Sequence, residues 1–244
     1  MDLKVALYNF ANRFRKNKLI YNSLKPIWVK FVNRDSERQR KNFHKNGLEV
    51  IRHLSNTCHQ HNVMYWLDFG TLLGAIREKG FIAHDNDIDI GVKFEDREKF
   101  QQAITSAGFK LTREFLIKDG EHLIGIEQTY HYKGVLVDIF YYIYLTDRTR
   151  ILYTFTPIVD DISLKDKAEI KKTEVPYSVP APYVFKGVEV YIPKDFETCL
   201  KFHYGNGYMT PDPNYSSKDI VKTIQYIPRS EKMADFIQHR RVYS

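Results

Sequence analysis

Three aspartates alternate with isoleucines in the stretch HDNDIDIG. In a β-strand, residues two positions apart point to the same face, so Asp85, Asp87 and Asp89 are expected to project together. Ile88 and Ile90 would then face the opposite, apolar side. Carboxylates on one face repel one another, and a divalent cation with a preference for oxygen ligands would offset their charge. The stretch therefore predicts a packed strand with a cation site on one face.

Two other interpretations of this stretch need no catalytic metal. An EF-hand calcium loop begins with the same D-x-D-x-D, but it needs glycine at its sixth position and glutamate at its twelfth. This chain has Ile90 and Asp96 there, so the EF-hand interpretation fails. A solvated acidic strand edge stays open as an alternative, although the apolar Ile88 and Val92 favour a strand inside a sheet.

A further aspartate lies inside the apolar run VLVDIFYY. Asp138 in such a strand is costly to bury unless it is paired or bound to metal. Partnership with an arginine is the alternative to a metal here. Together, Asp87, Asp89 and Asp138 predict a carboxylate cage on two strands.

Gly70 and Thr71 stand where the predicted strand VMYWLDFG gives way to a short helix, LLGAIREKG. Backbone N–H groups at such a helix start favour phosphate oxygens. A Gly-Thr pair alone is weak evidence for a phosphate site. The evidence is stronger here, because Thr71 precedes Asp87 by 16 residues and a third aspartate follows on a later strand. A phosphate site beside a Mg²⁺ site is the arrangement that enzymes use for nucleophilic displacement at phosphorus.

The remaining sequence alternates helix and strand patterns. Hydrophobic periodicity and end signals predict helices over residues 36–60, 95–107 and 194–204. Two strand pairs are predicted around Lys-Gly turns, LIGIEQTYHY with VLVDIFYYIYL and YVF with VEVYI. The predicted fold class is α/β (α+β), with a mixed sheet flanked by helices and a helical extension at the N-terminus.

Basic charge is concentrated at the N-terminus. Residues 1–45 hold 12 Lys/Arg against 3 Asp/Glu, whereas the rest of the chain holds 25 against 27. We therefore predict a basic helical arm over 1–45 and a catalytic domain over 46–244. The arm carries apolar helical stripes over 3–14 and 20–31, with a break expected at Pro26. These stripes either dock on the body or anchor the arm at a membrane surface.

Composition limits the class of protein. A content of 43% hydrophobic and 14% aromatic residues excludes a largely disordered chain. Cys58 and Cys199 cannot form a disulfide framework and predict reduced thiols in a cytoplasmic protein. A signal peptide is not expected. The sequence contains no uncharged apolar run of about 18 residues, so a membrane span is not expected either. The acidic motif and the lack of RNA-binding signatures count against a nucleic-acid partner.

The stretch DFGTLLGAIREKGFIAHDNDIDIGV resembles the signature of the LicD family, which is related to fukutin and fukutin-related protein. The resemblance covers roughly residues 60–92, extends loosely to Asp138 and includes the tail VEVYIPKDFETCLKFHYGNGYMTPDP. It implies the polymerase-β-type nucleotidyltransferase fold. It also implies transfer of a substituted phosphate, phosphocholine-like or a polyol phosphate, from a CDP-activated donor to a glycan or lipid-linked glycan. A nucleotidyltransferase that attaches the nucleotide itself is the alternative.

The resemblance assigns roles to individual residues. Asp87 and Asp89 would bind the metal ions, Mg²⁺ or Mn²⁺, and Asp138 would complete the cage. These three aspartates are the expected catalytic residues.

The resemblance also implies the residues that contact the substrates. Gly70 and Thr71 would hold donor phosphate, and Arg77 would offset charge on the pyrophosphate. His84 and Asp85 lie where the family often has Pro-Trp-Asp-Asp, and both are candidates for substrate contact. The acceptor proton would go either to Asp85 or to the third aspartate of the cage.

Two further expectations concern the cargo and the location. Trp66, Tyr141 and Tyr142 either form a cage for a quaternary ammonium group or pack in the core. Because acceptors of this family are often lipid-linked, the basic arm is expected to hold the enzyme at the inner face of the membrane.

Overall fold

The structure, a computed structural model, describes residues 18–146, 149–157, 168–212, 224–227 and 233–238. The described α-helices are α1 Lys18–Gln60, α2 Phe69–Arg77, α3 Arg97–Ser106 and α4 Phe196–Tyr204, and a 3-10 turn, Phe94–Asp96, precedes α3. The described strands are β1 Tyr65–Leu67, β2 Asp87–Lys93, β3 Lys110–Asp119, β4 His122–Tyr132, β5 Val135–Thr146, β6 Thr149–Pro157, β7 Ala168–Pro176, β8 Pro180–Phe185, β9 Val188–Pro193, β10 Ile224–Ile227 and β11 Met233–Gln238.

Nine of these strands form one mixed sheet, while β8 and β9 form a separate hairpin. The order along the large sheet is β10-β7-β6-β5-β4-β3-β11, with β2 also paired to β5 and β1 paired to β2. β2 and β5 run parallel, whereas β1 with β2 and β4 with β5 are antiparallel. Helix α1 packs against β2, β5 and β9. The predicted α/β class with a mixed sheet and flanking helices is confirmed.

The main core lies where α1 meets the sheet. Ile51 and Leu54 of α1 and Ile88 and Ile90 of β2 belong to this core and are fully buried. Because side chains alternate along a strand, the aspartates of β2 face away from these isoleucines. The predicted division of β2 into an apolar face and an acidic face is confirmed by its alternating burial.

Both predicted Lys-Gly hairpins are present. Lys133 and Gly134 join β4 to β5 with φ values of 49° and 80°, and Lys186 and Gly187 join β8 to β9 with 49° and 78°. Two successive residues in the left-handed region are the requirement of a type I′ turn, whose twist matches that of the flanking strands. The first of these hairpins places β4 beside β5, next to Asp138.

The predicted break of the N-terminal helix at Pro26 is wrong. Helix α1 runs from Lys18 to Gln60 over 43 residues. A proline inside a helix removes one backbone hydrogen bond at a cost of about 3 kcal/mol, and this long helix continues through it. The apolar stripe over 3–14 lies outside the described residues, and the division at residue 45, which α1 crosses, stays a prediction. Among the described residues, none of the helices has the length and apolar character needed to span a membrane.

Candidate active site

The turn between β1 and α2 is built around the carboxylate of Asp68, which is buried. Its Oδ1 accepts a hydrogen bond from the amide of Phe69 at 2.9 Å, and its Oδ2 accepts one from the hydroxyl of Tyr142 at 2.6 Å. Burial raises the pKa of Asp68. The amide of Asp68 donates to the carbonyl of Asp89 at 3.0 Å, so the helix cap is tied directly to β2.

Gly70 allows two carboxylates to approach the start of α2. Its amide donates to Oδ2 of Asp89 at 3.1 Å. A Cβ at this position would lie 3.1 Å from Oδ2 of Asp85 and 3.3 Å from Oδ2 of Asp89, tighter than an ordinary contact. The preceding Phe69 has a φ of 38°, a strained value for a bulky side chain. The strained turn and the missing side chain together open the space that Asp85 and Asp89 fill.

Thr71 fixes the backbone of Asp89. Its buried hydroxyl accepts a hydrogen bond from the amide of Asp89 at 2.8 Å. Together with the amide of Gly70, it holds both the main chain and the carboxylate of Asp89 against α2. The structure thus shows Gly70 and Thr71 in contact with Asp89, and the donor-phosphate role assigned to them stays a prediction.

The parallel pairing of β2 with β5 places Asp89 directly beside Asp138. Directly paired residues point to the same face of a sheet, so these two aspartates and Asp87 share the face opposite the core. β2 is paired with β1 on one side and β5 on the other, so the alternative of a solvated strand edge is wrong. The expectation that Asp85 lies in the strand is also wrong, because β2 begins at Asp87 and Asp85 reaches Gly70 from the preceding loop.

Burial and neighbouring carboxylates raise the pKa of aspartates at this site. Burial, followed by the charges of Asp138 and Asp85, raises the pKa of Asp87 to about 7. Burial and the neighbouring carboxylates raise the pKa of Asp89 well above its ordinary value, and burial raises the pKa of Asp85. Like charges held together away from water disfavour the ionised form. The site therefore holds carboxylates whose ionisation is disfavoured without a compensating cation.

Asp138 contacts a hydroxyl from β4 and a guanidinium from β3. The hydroxyl of Thr129 donates to its Oδ1 at 2.5 Å, and Nη2 of Arg113 lies 3.6 Å from its Oδ2. Burial raises the pKa of Asp138, while Arg113 and Thr129 oppose that shift. Asp138 thus has an arginine partner in this structure, and its role as a metal ligand stays a prediction. Arg113 itself was not among the residues predicted from the sequence.

The chemistry of these side chains fits a divalent cation. Carboxylate oxygens are the ligands that Mg²⁺ and Mn²⁺ prefer, and a cation would relieve the repulsion that raises the pKa of Asp87 and Asp89. As they stand, no three His, Cys, Asp or Glu side chains in the described part of the chain converge into a complete ligand set. The oxygens of Asp89 and Asp138 are turned instead to donors of the protein, among them Gly70 and Arg113.

A cavity of about 540 Å³ opens beside Gly70. Four of the residues assigned to substrate contact line it, namely Gly70, Arg77, His84 and Asp85. The opposite wall comes from the segment that begins at the end of α4: Tyr204, Gly207, Tyr208, Thr210, Pro211 and Asp212. Nη1 of Arg77 donates to the carbonyl of Tyr208 at 3.3 Å, which joins the two walls. The fold thus gathers the predicted contacts around one space, with a second wall that was not predicted as part of the site.

The proposed aromatic cage for an ammonium cargo is wrong. Trp66, Tyr141 and Tyr142 are each 1% exposed. The guanidinium of Arg150 lies 4.8 Å from the ring centre of Tyr142 and 5.5 Å from that of Trp66, while the hydroxyl of Tyr141 donates to Gln128 at 2.8 Å. The alternative of core packing is correct, because all three rings are buried and the protein's own Arg150 occupies the faces of Trp66 and Tyr142.

A family model described as "LicD/FKTN/FKRP, nucleotidyltransferase domain" matches residues 62–195, more than half of the chain. The chain belongs to the LicD family. The matched range contains every residue assigned to the site from the sequence, and it also contains Arg113. The cavity wall contributed by Tyr204 and the residues after it lies beyond the LicD match.

Relatives of this LicD-family chain come from bacteria and mammals. An uncharacterised protein of Rickettsia prowazekii is 29% identical over 168 residues, which is 66% of this chain and 56% of that protein. The lipopolysaccharide cholinephosphotransferase LicD of Haemophilus influenzae is 38% identical over 53 residues, 22% of this chain and 20% of that enzyme. The human ribitol-5-phosphate transferase FKTN is 28% identical over 107 residues, 43% of this chain and 22% of FKTN. The chain thus spans 56% or less of the length of these relatives.

Among solved structures, the LicD-family chain is similar to ANT(2")-Ia in complex with adenylyl-2"-tobramycin. The TM-score is 0.42 at 14% identity, over 72% of this chain and 84% of that one. It is also similar to the lincosamide antibiotic adenylyltransferase LnuA, with a TM-score of 0.39 at 15% identity over 73% of this chain and 94% of that one.

Proposed function

We propose that this LicD-family protein is a metal-dependent transferase that moves a substituted phosphate from a CDP-activated donor to a hydroxyl of a cell-surface glycan precursor. The proposal rests on the strand register that places Asp89 beside Asp138. These aspartates lie next to the turn at Gly70, and Gly70 lines the cavity. The names of two relatives, a lipopolysaccharide cholinephosphotransferase and a ribitol-5-phosphate transferase, support a phosphate-linked group as the cargo.

Asp87, Asp89 and Asp138 are the residues that would hold the cation. A divalent cation bound there would neutralise phosphoryl oxygens and stabilise the departing CMP. The raised pKa of Asp87 and of Asp89 supports this assignment, since both shifts arise from burial and from the neighbouring carboxylates. The bonds of Gly70 and Thr71 to Asp89 hold that ligand in place before substrate arrives.

The donor is expected to bind in the cavity, with its pyrophosphate toward Arg77 and Gly70. The Arg77 side chain is 11% exposed, and its Nε is held by Glu78 at 2.8 Å. An ordered guanidinium is well suited to phosphate oxygens because its donors have a fixed, planar geometry. The cavity volume of about 540 Å³ falls within the range of roughly 300–1,000 Å³ that is typical of small-molecule sites.

Asp85 is the carboxylate best placed to take the proton of the acceptor hydroxyl. It lines the cavity, and burial raises its pKa, which strengthens it as a base near neutral pH. Asp138 is less suited, because its Oδ1 accepts a hydrogen bond from Thr129 at 2.5 Å and the residue is proposed as a ligand of the cation. In the proposed step the acceptor oxygen attacks the donor phosphorus, its proton passes to Asp85, and the bond from that phosphorus to the oxygen of CMP breaks.

Purified protein incubated with a panel of CDP-linked donors tests the proposal. The panel contains CDP-choline, CDP-ethanolamine, CDP-glycerol and CDP-ribitol, each with Mg²⁺ or Mn²⁺ and a glycan acceptor, and CMP release is followed by chromatography. We expect CMP release that depends on the cation and on one of these donors, and that is absent from Asp89→Asn but unchanged in Asp119→Asn. Release of pyrophosphate from a nucleoside triphosphate, with no CMP from any donor, would replace the proposal with a nucleotidyltransferase.

A further inference from the structure

Four polar residues form a row across four neighbouring strands. Arg113 of β3 is paired with Thr129 of β4, Thr129 with Asp138 of β5, and Asp138 with Asp89 of β2. Directly paired residues on adjacent strands have their side chains on the same face and within reach of one another. The row thus runs from a cation through a hydroxyl to two carboxylates of the proposed metal site.

A β-bulge puts Arg113 into this row. The pairing of β3 with β4 shifts between Leu111 and Arg113, so Thr112 is the extra residue, and its hydroxyl donates to the carbonyl of Thr129 at 2.9 Å. Without the extra residue, Thr112 would lie opposite Thr129 and Arg113 would point to the other face. Bulges next to active sites commonly redirect one side chain in this way.

The contacts of Arg113 are those of a replaceable partner. Its Nε donates to the hydroxyl of Thr129 at 3.0 Å, and that hydroxyl donates to Asp138 at 2.5 Å. Nη2 of Arg113 lies 3.6 Å from Oδ2 of Asp138, longer than the roughly 2.7–2.9 Å of a strong charge-assisted hydrogen bond. The side chain is 41% exposed. A long, half-exposed ion pair is weak and can be exchanged at little cost.

We propose that Arg113 is a positioning residue that takes the place of the cation in the metal-free site. It holds Asp138 while no divalent cation is bound, and it releases Oδ2 of Asp138 when one binds. The freed guanidinium stays at the rim of the site, where it contacts a phosphate oxygen of the donor. This inference rests on the proposed function, because it requires Asp138 to be a ligand of the cation.

The affinity of the donor-free protein for Mn²⁺ tests the exchange. Arg113→Gln keeps an amide that can bond to Thr129 but removes the competing charge. We expect its Kd for Mn²⁺, measured by calorimetry, to fall by about 3- to 10-fold relative to wild type, the size expected for one nearby charge at a partly exposed position. Arg113→Lys, which keeps the charge, should bind Mn²⁺ like wild type. Lys110→Gln removes a charge from an exposed position of the same strand and should also bind like wild type.

Two further measurements separate an exchangeable cation from a merely structural residue. The melting temperature of metal-free Arg113→Gln should fall below that of wild type and recover at saturating Mn²⁺. In steady-state kinetics, the KM of Arg113→Gln for the CDP donor should rise by a larger factor than its kcat falls. Weaker or unchanged Mn²⁺ binding by Arg113→Gln would overturn the proposal, as would a loss of stability that Mn²⁺ does not restore.

The outcomes also distinguish this inference from the proposed function. If wild type shows no Mn²⁺ binding at millimolar concentrations, the exchange is overturned together with the metal site. If the variants shift Mn²⁺ affinity as expected but no CDP donor releases CMP, the exchange stands and the proposed reaction does not.

Discussion

The indole of Trp66 lies directly over the α-carbon of Gly91, its partner in the pairing of β1 with β2. A Cβ at residue 91 would lie 2.2 Å from Cε2 of Trp66 and 2.3 Å from its Nε1. Trp66 has little room to move, since it is 1% exposed and its ring centre is 5.3 Å from that of Tyr142. This contact fixes β1 against β2 two residues beyond Asp89, and thereby positions the turn that leads to Gly70.

Gly91→Ala is expected to destabilise the protein, because the new methyl group forces Trp66 or β1 to shift. Overpacking of this kind lowers the free energy of unfolding by about 1–3 kcal/mol, and by more where the backbone must move. Urea denaturation followed by circular dichroism measures the loss. Gly207→Ala is the matched control, since a Cβ there would meet nothing within 4 Å. Equal stability of the two variants would show that Trp66 does not fix the strand pair.

Tyr142→Phe and Tyr141→Phe form a second matched pair. Each removes one buried hydroxyl, but that of Tyr142 donates to the carboxylate of Asp68, whereas that of Tyr141 donates to the neutral amide of Gln128. Loss of a bond to a charged group costs about 1.5–3 kcal/mol and loss of a neutral bond about 1 kcal/mol. We therefore expect the larger loss of unfolding free energy for Tyr142→Phe.

The pH dependence of that difference identifies its cause. The hydroxyl of Tyr142 lowers the pKa of Asp68, which burial raises. Without the hydroxyl, the pKa of Asp68 in the folded protein rises further above its unfolded value, so the folded state of the variant loses stability as the pH increases. The deficit of Tyr142→Phe should grow as the pH rises through the range in which Asp68 titrates in the folded protein, whereas that of Tyr141→Phe should be constant. A deficit that does not change with pH would exclude Asp68 as the cause.

The residues of the proposed cage were predictable because their signals are local. The alternation in β2 separates Asp87 and Asp89 from the core, and the apolar run of β5 isolates Asp138 as a costly charge. The Lys-Gly pairs at residues 133 and 186 predict turns whose positive φ values the structure confirms. Each of these signals lies within a few residues of the feature that it predicts.

The partners of these residues were not predictable, because the fold brings them from distant segments. Arg113 faces Asp138 only through the bulge at Thr112, for which a single sequence has no clear signal. Arg150 packs on the aromatic cluster, for which the sequence left a cargo cage and core packing open. The second cavity wall depends on the packing of α4 against α2. The resemblance of the tail to the LicD family therefore predicted a related segment, but it did not predict that this segment lines the cavity.

The basic arm is expected to contribute to membrane association. The first 17 residues include Lys4, Arg13, Arg15 and Lys16, and each basic side chain near an anionic surface is worth about 1 kcal/mol. A deletion of residues 1–17 leaves α1 intact and should weaken co-sedimentation with vesicles that contain phosphatidylserine by at least about tenfold, from that same increment. Vesicles of phosphatidylcholine alone are the control. Undiminished binding to anionic vesicles after the deletion would contradict a role of these residues at the membrane.

Asp89→Asn is expected to abolish turnover while the fold is kept. Asparagine retains an oxygen that can accept from the amide of Gly70, but it lacks the charge that a cation requires. Since metal ions contribute several kcal/mol of transition-state stabilisation, we expect kcat to fall by at least about 100-fold. The metal-free melting temperature should rise, because one of the repelling carboxylates is gone. Full activity of a folded Asp89→Asn protein would eliminate this residue as a ligand.

The stability of the metal-free protein should fall as the pH rises from about 4 to about 7. Asp87 has a pKa of about 7 in the folded protein, whereas an unfolded aspartate titrates near 3.9. Between these values the folded state binds a proton that the unfolded state does not, so the free energy of unfolding decreases with increasing pH. Asp85, Asp89 and Asp138 act in the same direction, since each has a raised pKa. Thermal melting across this range, with and without Mg²⁺, measures the slope.

Saturating Mg²⁺ should flatten this slope, because a bound cation favours the ionised carboxylates and so brings their pKa values down toward those of the unfolded chain. Asp87→Asn should retain only the part of the metal-free slope that comes from the other aspartates, and Asp119→Asn, at an exposed position on β3, should retain all of it. A metal-free stability that is constant or increases between pH 4 and 7 would show that the carboxylates of the site are not protonated in the folded protein, and that their charge is already balanced without a cation.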